Sequence, residues 1–193
     1  MLEWRLRGVR CRLSLLFPAL LTALLLWQPD GLSVSCVLAS FMHECGHLLS
    51  MLLLHSPPDT CTLGAFGMRI ETGAQRMVGY RRAWLISAAG PAVNGVAAAI
   101  LWGCGNGAAA AVHLTLALLN LLPASALDGG QMLRCVLCLI GWERQADGIL
   151  SALSALTLLP LAALAGYLAI TGGNVTLLLV SGYLALLVFF HPA

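Results

Sequence analysis

The chain has 193 residues, of which 60% are apolar and only 9% are charged, and its mean hydropathy is +0.90. Soluble domains usually carry about 25% charged residues, so this composition excludes an ordinary soluble domain and predicts an all-α integral membrane protein. The net charge of +2 is the difference between ten arginines and eight acidic residues. The arginines are spread over several segments, a pattern typical of membrane topology signals rather than of a nucleic-acid-binding surface.

Six apolar stretches approach the length that a membrane-crossing helix requires, which is roughly 20 residues. We therefore predict a single integral domain over residues 1–193. Its spans are expected near 13–27, 33–54, 83–103, 111–140, 149–170 and 175–190. The first stretch is also compatible with a secretory signal, but its end lacks a small-residue cleavage site, which favours a retained anchor.

The arginines alternate with the predicted spans. Four arginines precede the first span, four lie between the second and the third, and two lie around the connection of the fourth to the fifth. The other connections carry no lysine or arginine. By the positive-inside rule, this distribution predicts a multi-pass protein of the cell membrane with both termini in the cytoplasm.

The second predicted span carries His43-Glu44-Cys45-Gly46-His47 near its middle. On a helix, His43 and His47 lie one turn apart on the same face, so two imidazole nitrogens can bind one metal ion, and Glu44 beside them suits a general base. Ionisable groups at this depth are costly unless a metal, a partner or a wet cavity compensates them. The pattern predicts a zinc site; the alternative is two buried histidines with ordinary hydrogen-bond partners.

Residues 60–71 interrupt the helical pattern with β-branched and aromatic residues and two glycines, which favours a short β-hairpin over a surface loop. A hairpin here would offer an edge strand to which an extended peptide could pair by backbone hydrogen bonds. Glu71 ends this segment and is one candidate for a third metal ligand. Arg69 lies close to it in the sequence, so a solvated ion pair is the favoured interpretation of Glu71.

The remaining spans contain polar and sulfur-bearing residues outside the histidine motif. Pro91 predicts a kink in the third span, where Asn94 either bridges helices or lies near the metal site. His113 has no acidic or histidine neighbour in the sequence, so we predict a solitary polar residue near the outer boundary. Cys135 and Cys138 lie in an ordinary apolar helix and are predicted to be inert small side chains rather than a metal or redox site.

The fourth predicted span is broken near residues 123–130, where Pro123 and the Gly129-Gly130 pair interrupt the helical pattern. Unwound backbone at membrane depth is tolerated only where it is buried in protein or lines a wet cavity. Asp128 lies at this break and is the favoured third ligand, which leaves one coordination position open. The alternative is that Asp128 only caps the following helix.

These motifs resemble those of the site-2 protease family (peptidase M50) of intramembrane zinc metalloproteases. The similarity is greatest to the six-span bacterial branch, which contains a sporulation protease that activates a pro-sigma factor. It covers about residues 33–135 and rests on HECGH at 43–47, Gly90-Pro91 with Asn94, and the run from Asn120 to Gly130. The resemblance implies that zinc is bound by His43, His47 and Asp128, that Glu44 is the base, and that Asn120 holds the substrate backbone or the developing oxyanion. The family commonly has a proline where this chain has Ala126.

We therefore predict an intramembrane zinc metalloendopeptidase that binds one zinc ion and is accessible from the cytoplasmic side. It would hydrolyse peptide bonds within or next to transmembrane segments of membrane proteins, or of a membrane-associated pro-protein. Two alternatives are a membrane metallopeptidase of another HExxH family with Glu71 as ligand, and a non-enzymatic membrane scaffold or transporter. The sequence predicts no nucleic-acid partner and no particular oligomeric state.

Overall fold

The computed structural model describes residues 2–6, 9–13, 31–57, 60–64, 67–71 and 79–172, and these residues are mostly helical. They include five helices, which are α1 (Gly31–Leu53), α2 (Tyr80–Gly103), α3 (Gly107–Asn120), α4 (Asp128–Leu139) and α5 (Glu143–Gly172). Among them, three are long and apolar enough to cross a membrane, over Gly31–Leu53, Tyr80–Gly103 and Glu143–Tyr167. The described part of the chain is thus a mostly helical protein with three candidate membrane spans.

Helices α1, α2 and α5 occupy the places of the predicted spans at 33–54, 83–103 and 149–170. Helices α2 and α5 begin before their apolar stretches, because the polar residues Tyr80 and Glu143 belong to their first turns. Helix α1 begins two residues early, at Gly31. The predicted spans near 13–27 and 175–190 lie outside the described residues, apart from Leu13, which ends a strand.

Four short strands form one sheet in the described residues, in the order β1 (Leu2–Leu6), β2 (Val9–Leu13), β3 (Thr60–Gly64) and β4 (Gly67–Glu71). Strands β2 and β3 pair in parallel, whereas β1 with β2 and β3 with β4 pair antiparallel. Strand β4 lies at one edge of this sheet. No strand is predicted from the sequence before residue 14, where the arginines were interpreted only as topology signals. Their alternation with apolar residues also fits the two-residue period of a strand.

Helix α2 lies at the centre of the helical part, because it packs against α1, α3 and α4, while α5 packs against α4. Small side chains make these contacts close. The buried alanines of α2 and α3 are Ala97, Ala98, Ala109, Ala110 and Ala117. A Cβ atom at Gly46 would lie 2.8 Å from the carbonyl oxygen of Ala89, so the backbones of α1 and α2 are in direct contact there. This use of small residues is typical of helices that associate within lipid.

The helical path is interrupted between α3 and α4, at residues 121–127. Asp128 and the two glycines after it already belong to α4, so the break is earlier than the predicted 123–130. The glycines are needed because the broken segment folds back over them: a Cβ atom at Gly129 would overlap the carbonyl of Leu121, and one at Gly130 would overlap the carbonyl of Ala124. The break thereby places the start of α4, with Asp128, against α2.

Candidate metal centre

Two histidine side chains of α1 face the same buried space. His43 and His47 are both buried, and their Nε2 atoms lie 3.2 Å apart. The rings are nearly perpendicular, with an interplanar angle of 83° and centroids 4.8 Å apart. The i and i+4 spacing on a helix brings the two rings to one face. Their perpendicular arrangement lets both Nε2 lone pairs point to a common position between them.

Asp128 at the start of α4 completes the group. One of its carboxylate oxygens lies 2.9 Å from Nε2 of His43 and 3.3 Å from Nε2 of His47. In the described residues, these three side chains form a group able to hold a metal ion. Asp128 also lies in the first turn of α4, where the backbone N–H groups favour a negative charge. Helix α4 therefore stabilises the carboxylate that it presents to the histidines.

The donor set fits zinc. Two ligand atoms, each about 2.0–2.1 Å from a tetrahedral zinc ion, lie roughly 3.3 Å apart. The observed separations of 2.9, 3.2 and 3.3 Å between the two Nε2 atoms and the carboxylate oxygen are close to this value. Two imidazoles and one carboxylate are also the ligands of several catalytic zinc sites, which keep a fourth position for water or substrate.

The outer nitrogen of His47 is held by the backbone of α2. Its Nδ1 lies 2.7 Å from the carbonyl oxygen of Ile86 and donates a hydrogen bond to it. With the hydrogen on Nδ1, the Nε2 atom keeps a free lone pair. Metal-binding histidines are commonly oriented in this way by a carbonyl or a carboxylate. The contact with Ile86 therefore prepares His47 to bind a metal ion through Nε2.

Gly90 of α2 faces the two imidazoles directly. A Cβ atom there would overlap Nε2 of His47 and would lie 2.8 Å from Cε1 of His43. Any side chain at position 90 would displace at least one ring. Gly90 is thus the residue that lets α2 approach the histidines closely enough for Ile86 and Asn94 to contact them.

Glu44 lies next to His43 on α1, and its side chain is half-buried. Its carboxylate is close enough to interact electrostatically with His47, His43 and Asp128. It is not a member of the group that could hold the metal. This arrangement leaves the Glu44 carboxylate free to accept a proton beside the site.

Asn120 is the last residue of α3 and lies just before the broken segment. Its side chain is half-buried, and its Nδ2 donates a hydrogen bond to the carbonyl oxygen of Leu116 at 3.0 Å. A side-chain amide has two N–H donors and one acceptor oxygen, so this bond leaves Asn120 with further hydrogen-bonding capacity.

The prediction that His113 is a solitary polar residue is wrong. His113 is only 3% exposed, and its Nδ1 lies 3.2 Å from Oδ1 of Asn94. Asn94 is completely buried, and its Nδ2 lies 3.3 Å from Nδ1 of His43. Asn94 thus both bridges helices and reaches the candidate metal centre. No local pattern links His113 to this site, because the contact depends on how α2 and α3 pack.

The other sequence candidates lie elsewhere. Glu71 is the last residue of β4 and lies opposite Thr60 in the sheet, and the carboxylate that joins the two histidines is that of Asp128. Cys135 and Cys138 are free, buried cysteines in α4.

No protein-family model matches this sequence, and no curated protein matches it. Among solved structures, the fold is similar to that of the site-2 protease from Methanocaldococcus jannaschii, with a TM-score of 0.66. The two sequences are 18% identical, and the similarity covers 95% of this chain and 91% of that chain. The likeness therefore extends over almost the whole of both folds, although few residues are shared.

Replacing Gly90 with alanine should weaken zinc binding on the order of 10- to 100-fold, because the new Cβ displaces the imidazoles from their shared position. Zinc affinity would be measured on the purified chain in detergent by competition with a chromogenic chelator. Gly95→Ala, on the same helix, is the matched control, since a Cβ atom there meets nothing within 4 Å. Equal zinc affinities of the two variants would contradict the structural role given to Gly90.

Proposed function

We propose that this chain is an intramembrane zinc metalloprotease of the site-2 type, which hydrolyses peptide bonds within or next to transmembrane segments. The observation that supports it most strongly is the meeting of His43, His47 and Asp128 in one buried group. The fold adds support, because it is similar to that of a site-2 protease. The motif resemblance favours the six-span bacterial branch of peptidase family M50, whose substrates include a membrane-associated pro-protein.

The three residues that would hold the zinc ion come from two helices. The Nε2 atoms of His43 and His47 and a carboxylate oxygen of Asp128 offer three donors with suitable spacing. When bound, zinc supplies a Lewis acid that polarises the scissile carbonyl and acidifies water. Asp128 also pairs with both imidazoles, which lowers the free-energy cost of burying them between apolar helices.

Glu44 would act as the general base and then as the general acid. Its carboxylate takes a proton from the attacking water and later delivers it to the departing amine of the peptide. Its half-buried position suits this role, because the carboxylate is near the histidines but is not one of the three candidate metal ligands.

Asn120 would contact the substrate from the end of α3. Its second N–H group, which the bond to Leu116 does not use, can donate to a substrate carbonyl or to the developing oxyanion. An extended peptide would lie beside Asn120, along the broken segment at 121–127. A substrate helix must itself unwind before its carbonyls become available, so helix-breaking residues are expected near the cleavage site.

Glu44→Gln should lower peptide cleavage by about 10²- to 10⁴-fold while zinc remains bound, because the amide cannot accept the proton but removes no metal ligand. Cleavage would be measured with purified chain and a membrane-protein substrate in detergent, and zinc by metal analysis. The same substitution at the exposed Glu143 is the control and should leave both unchanged. Retained cleavage by Glu44→Gln would overturn the assignment. In cells, the membrane proteins that accumulate with Glu44→Gln would identify the substrate.

Asp128→Asn and Glu71→Gln distinguish this proposal from a membrane metallopeptidase of another HExxH family. Asp128→Asn should lose stoichiometric zinc, since a neutral amide is a much poorer zinc ligand than a carboxylate. Glu71→Gln should retain it. The reverse result would assign the third ligand to Glu71 instead. Absence of stoichiometric zinc from the native chain, with no effect of Glu44→Gln, would favour a non-enzymatic scaffold.

We further propose six membrane spans with both termini in the cytoplasm, on the strength of the arginine distribution. In this arrangement, the connection of α2 to α3 lies outside and that of α4 to α5 lies inside. The active site is then reached from the cytoplasmic side.

Thiol labelling in intact cells tests this orientation, in chains whose other cysteines are replaced. Cys104, an exposed residue in the turn between α2 and α3, should react with a membrane-impermeant maleimide. A cysteine introduced by Arg144→Cys, near the start of α5, should react only after the cells are permeabilised. The opposite labelling pattern would invert the proposed orientation.

A further inference from the structure

We propose that Asn94 and His113 form a hydrogen-bonded relay that positions His43 and sets which of its nitrogens carries the hydrogen, and thereby tunes the metal affinity of the site. This inference rests on the proposed metal centre and adds two positioning residues to it. Neither of them is a metal ligand in the group formed by His43, His47 and Asp128.

The relay connects three helices that pack against one another. His43 belongs to α1, Asn94 to α2 and His113 to α3. The distance from Nδ1 of His43 to Nδ2 of Asn94 is 3.3 Å, and that from Oδ1 of Asn94 to Nδ1 of His113 is 3.2 Å. Asn94 is 0% exposed and His113 is 3% exposed, so water does not compete for these bonds. Leaving a buried polar group without a hydrogen-bond partner costs free energy. The two hydrogen bonds therefore hold the three side chains together.

Metal binding through Nε2 of His43 makes a specific demand on this relay. The neutral imidazole must then carry its hydrogen on Nδ1, and that hydrogen needs an acceptor. The neighbour of Nδ1 is the side-chain amide of Asn94. By turning half a revolution about its last side-chain bond, this amide can offer either its nitrogen or its oxygen with nearly the same shape.

Two arrangements of hydrogens satisfy both hydrogen bonds of the relay. With Nδ2 of Asn94 facing His43, His43 accepts a hydrogen bond at Nδ1 and donates from Nε2 to Asp128, while His113 donates to Oδ1. With the amide turned over, His43 donates from Nδ1 to Oδ1, and Nδ2 donates to His113. The first arrangement places a hydrogen between His43 and Asp128, and the second leaves the Nε2 lone pair free for a metal ion.

Only side chains that both donate and accept can pass between these arrangements. Asparagine and histidine meet this condition, whereas leucine does neither and aspartate only accepts. An aspartate at position 94 would accept hydrogens from both His43 and His113, and so would favour the arrangement suited to metal binding. A purely space-filling role makes the opposite prediction, because leucine preserves apolar packing and aspartate adds a buried charge.

The test compares Asn94→Leu with Asn94→Asp in the purified full-length chain in detergent. Zinc affinity is measured by chelator competition, and ligand geometry by the visible absorption spectrum of the chain loaded with Co²⁺. Asn94→Leu should weaken zinc binding by about 10- to 100-fold and alter the Co²⁺ spectrum. Asn94→Asp should bind zinc at least as tightly as the native chain. His113→Leu should weaken binding in the same direction by a smaller factor, and His113→Asn should restore it.

Asn106→Ala is the control for loss of stability alone. Asn106 is exposed and its side chain accepts a hydrogen bond from the backbone N–H of Ala109 at the start of α3, away from the metal group. Its removal should lower the melting temperature without changing zinc affinity. Should Asn94→Leu fail to fold, the comparison of His113→Leu with His113→Asn carries the same test.

The outcomes separate this inference from the proposed function. If the native chain binds stoichiometric zinc and cleaves substrate, but all four relay variants bind zinc with native affinity and spectrum, the relay is overturned and the protease assignment is not. If Asn94→Leu binds normally and Asn94→Asp does not, Asn94 is a packing residue. If the native chain binds no zinc, the proposed function fails and the relay fails with it.

Discussion

Two imidazoles and a carboxylate lie between helices whose other side chains are mostly apolar, so each of these polar groups needs a partner. The packing around them follows from this requirement. Uncompensated ionisable groups at membrane depth are costly, so they survive where they pair with one another or with a metal. Here Asp128 lies within 3.3 Å of both Nε2 atoms. Pairing lowers the free-energy cost of burying each group, and the same short distances make the three side chains a group that could hold a metal ion. The three polar groups therefore lie close together because their surroundings are apolar.

Helix α2 provides the support for this cluster without contributing a member to it. Gly90 removes the side chain that would block the histidines, the carbonyl of Ile86 holds His47, and the amide of Asn94 contacts His43. These three residues lie four positions apart on one helix and face α1 together, and their contacts with the histidines require that the two backbones approach closely. Gly46 permits that approach, because it lets α1 contact the backbone at Ala89. A change at either glycine would disturb several contacts at once.

The break between α3 and α4 has a different role. A continuous helix from residue 107 to residue 139 would satisfy its own backbone and would carry Asp128 past the histidines. The break lets the chain fold back over Gly129 and Gly130, so that α4 begins beside α2 with its positive end facing the site. The cost of unwinding the backbone within apolar surroundings is thus offset by the placement of Asp128 beside the two histidines.

Features that depend on local spacing and composition can be predicted from the sequence. Apolar stretches predict helices long enough for a membrane, the i and i+4 interval brings His43 and His47 to one face, and Pro123 with Gly129-Gly130 predicts a broken helix. The sequence favours Asp128 as the third ligand. It leaves two alternatives, which are Glu71 as the ligand and Asp128 as only a helix cap. Strands β1 and β2 are not predicted, because arginines that precede an apolar stretch are also typical of membrane topology signals.

Which distant residues meet depends on how the helices pack. Asp128 is 85 positions from His43 along the chain, and their 2.9 Å contact follows from the packing of α4 against α2. His113, a lone histidine in the sequence, joins Asn94 because α3 packs against α2 with that side chain inward. Periodicity specifies one face of one helix, whereas the depth and rotation at which two helices pack depend on small residues and glycines acting together. The histidine motif and a favoured carboxylate could therefore be identified from the sequence, whereas the contacts of Asp128 with both histidines and of His113 with Asn94 could be assigned only from the fold.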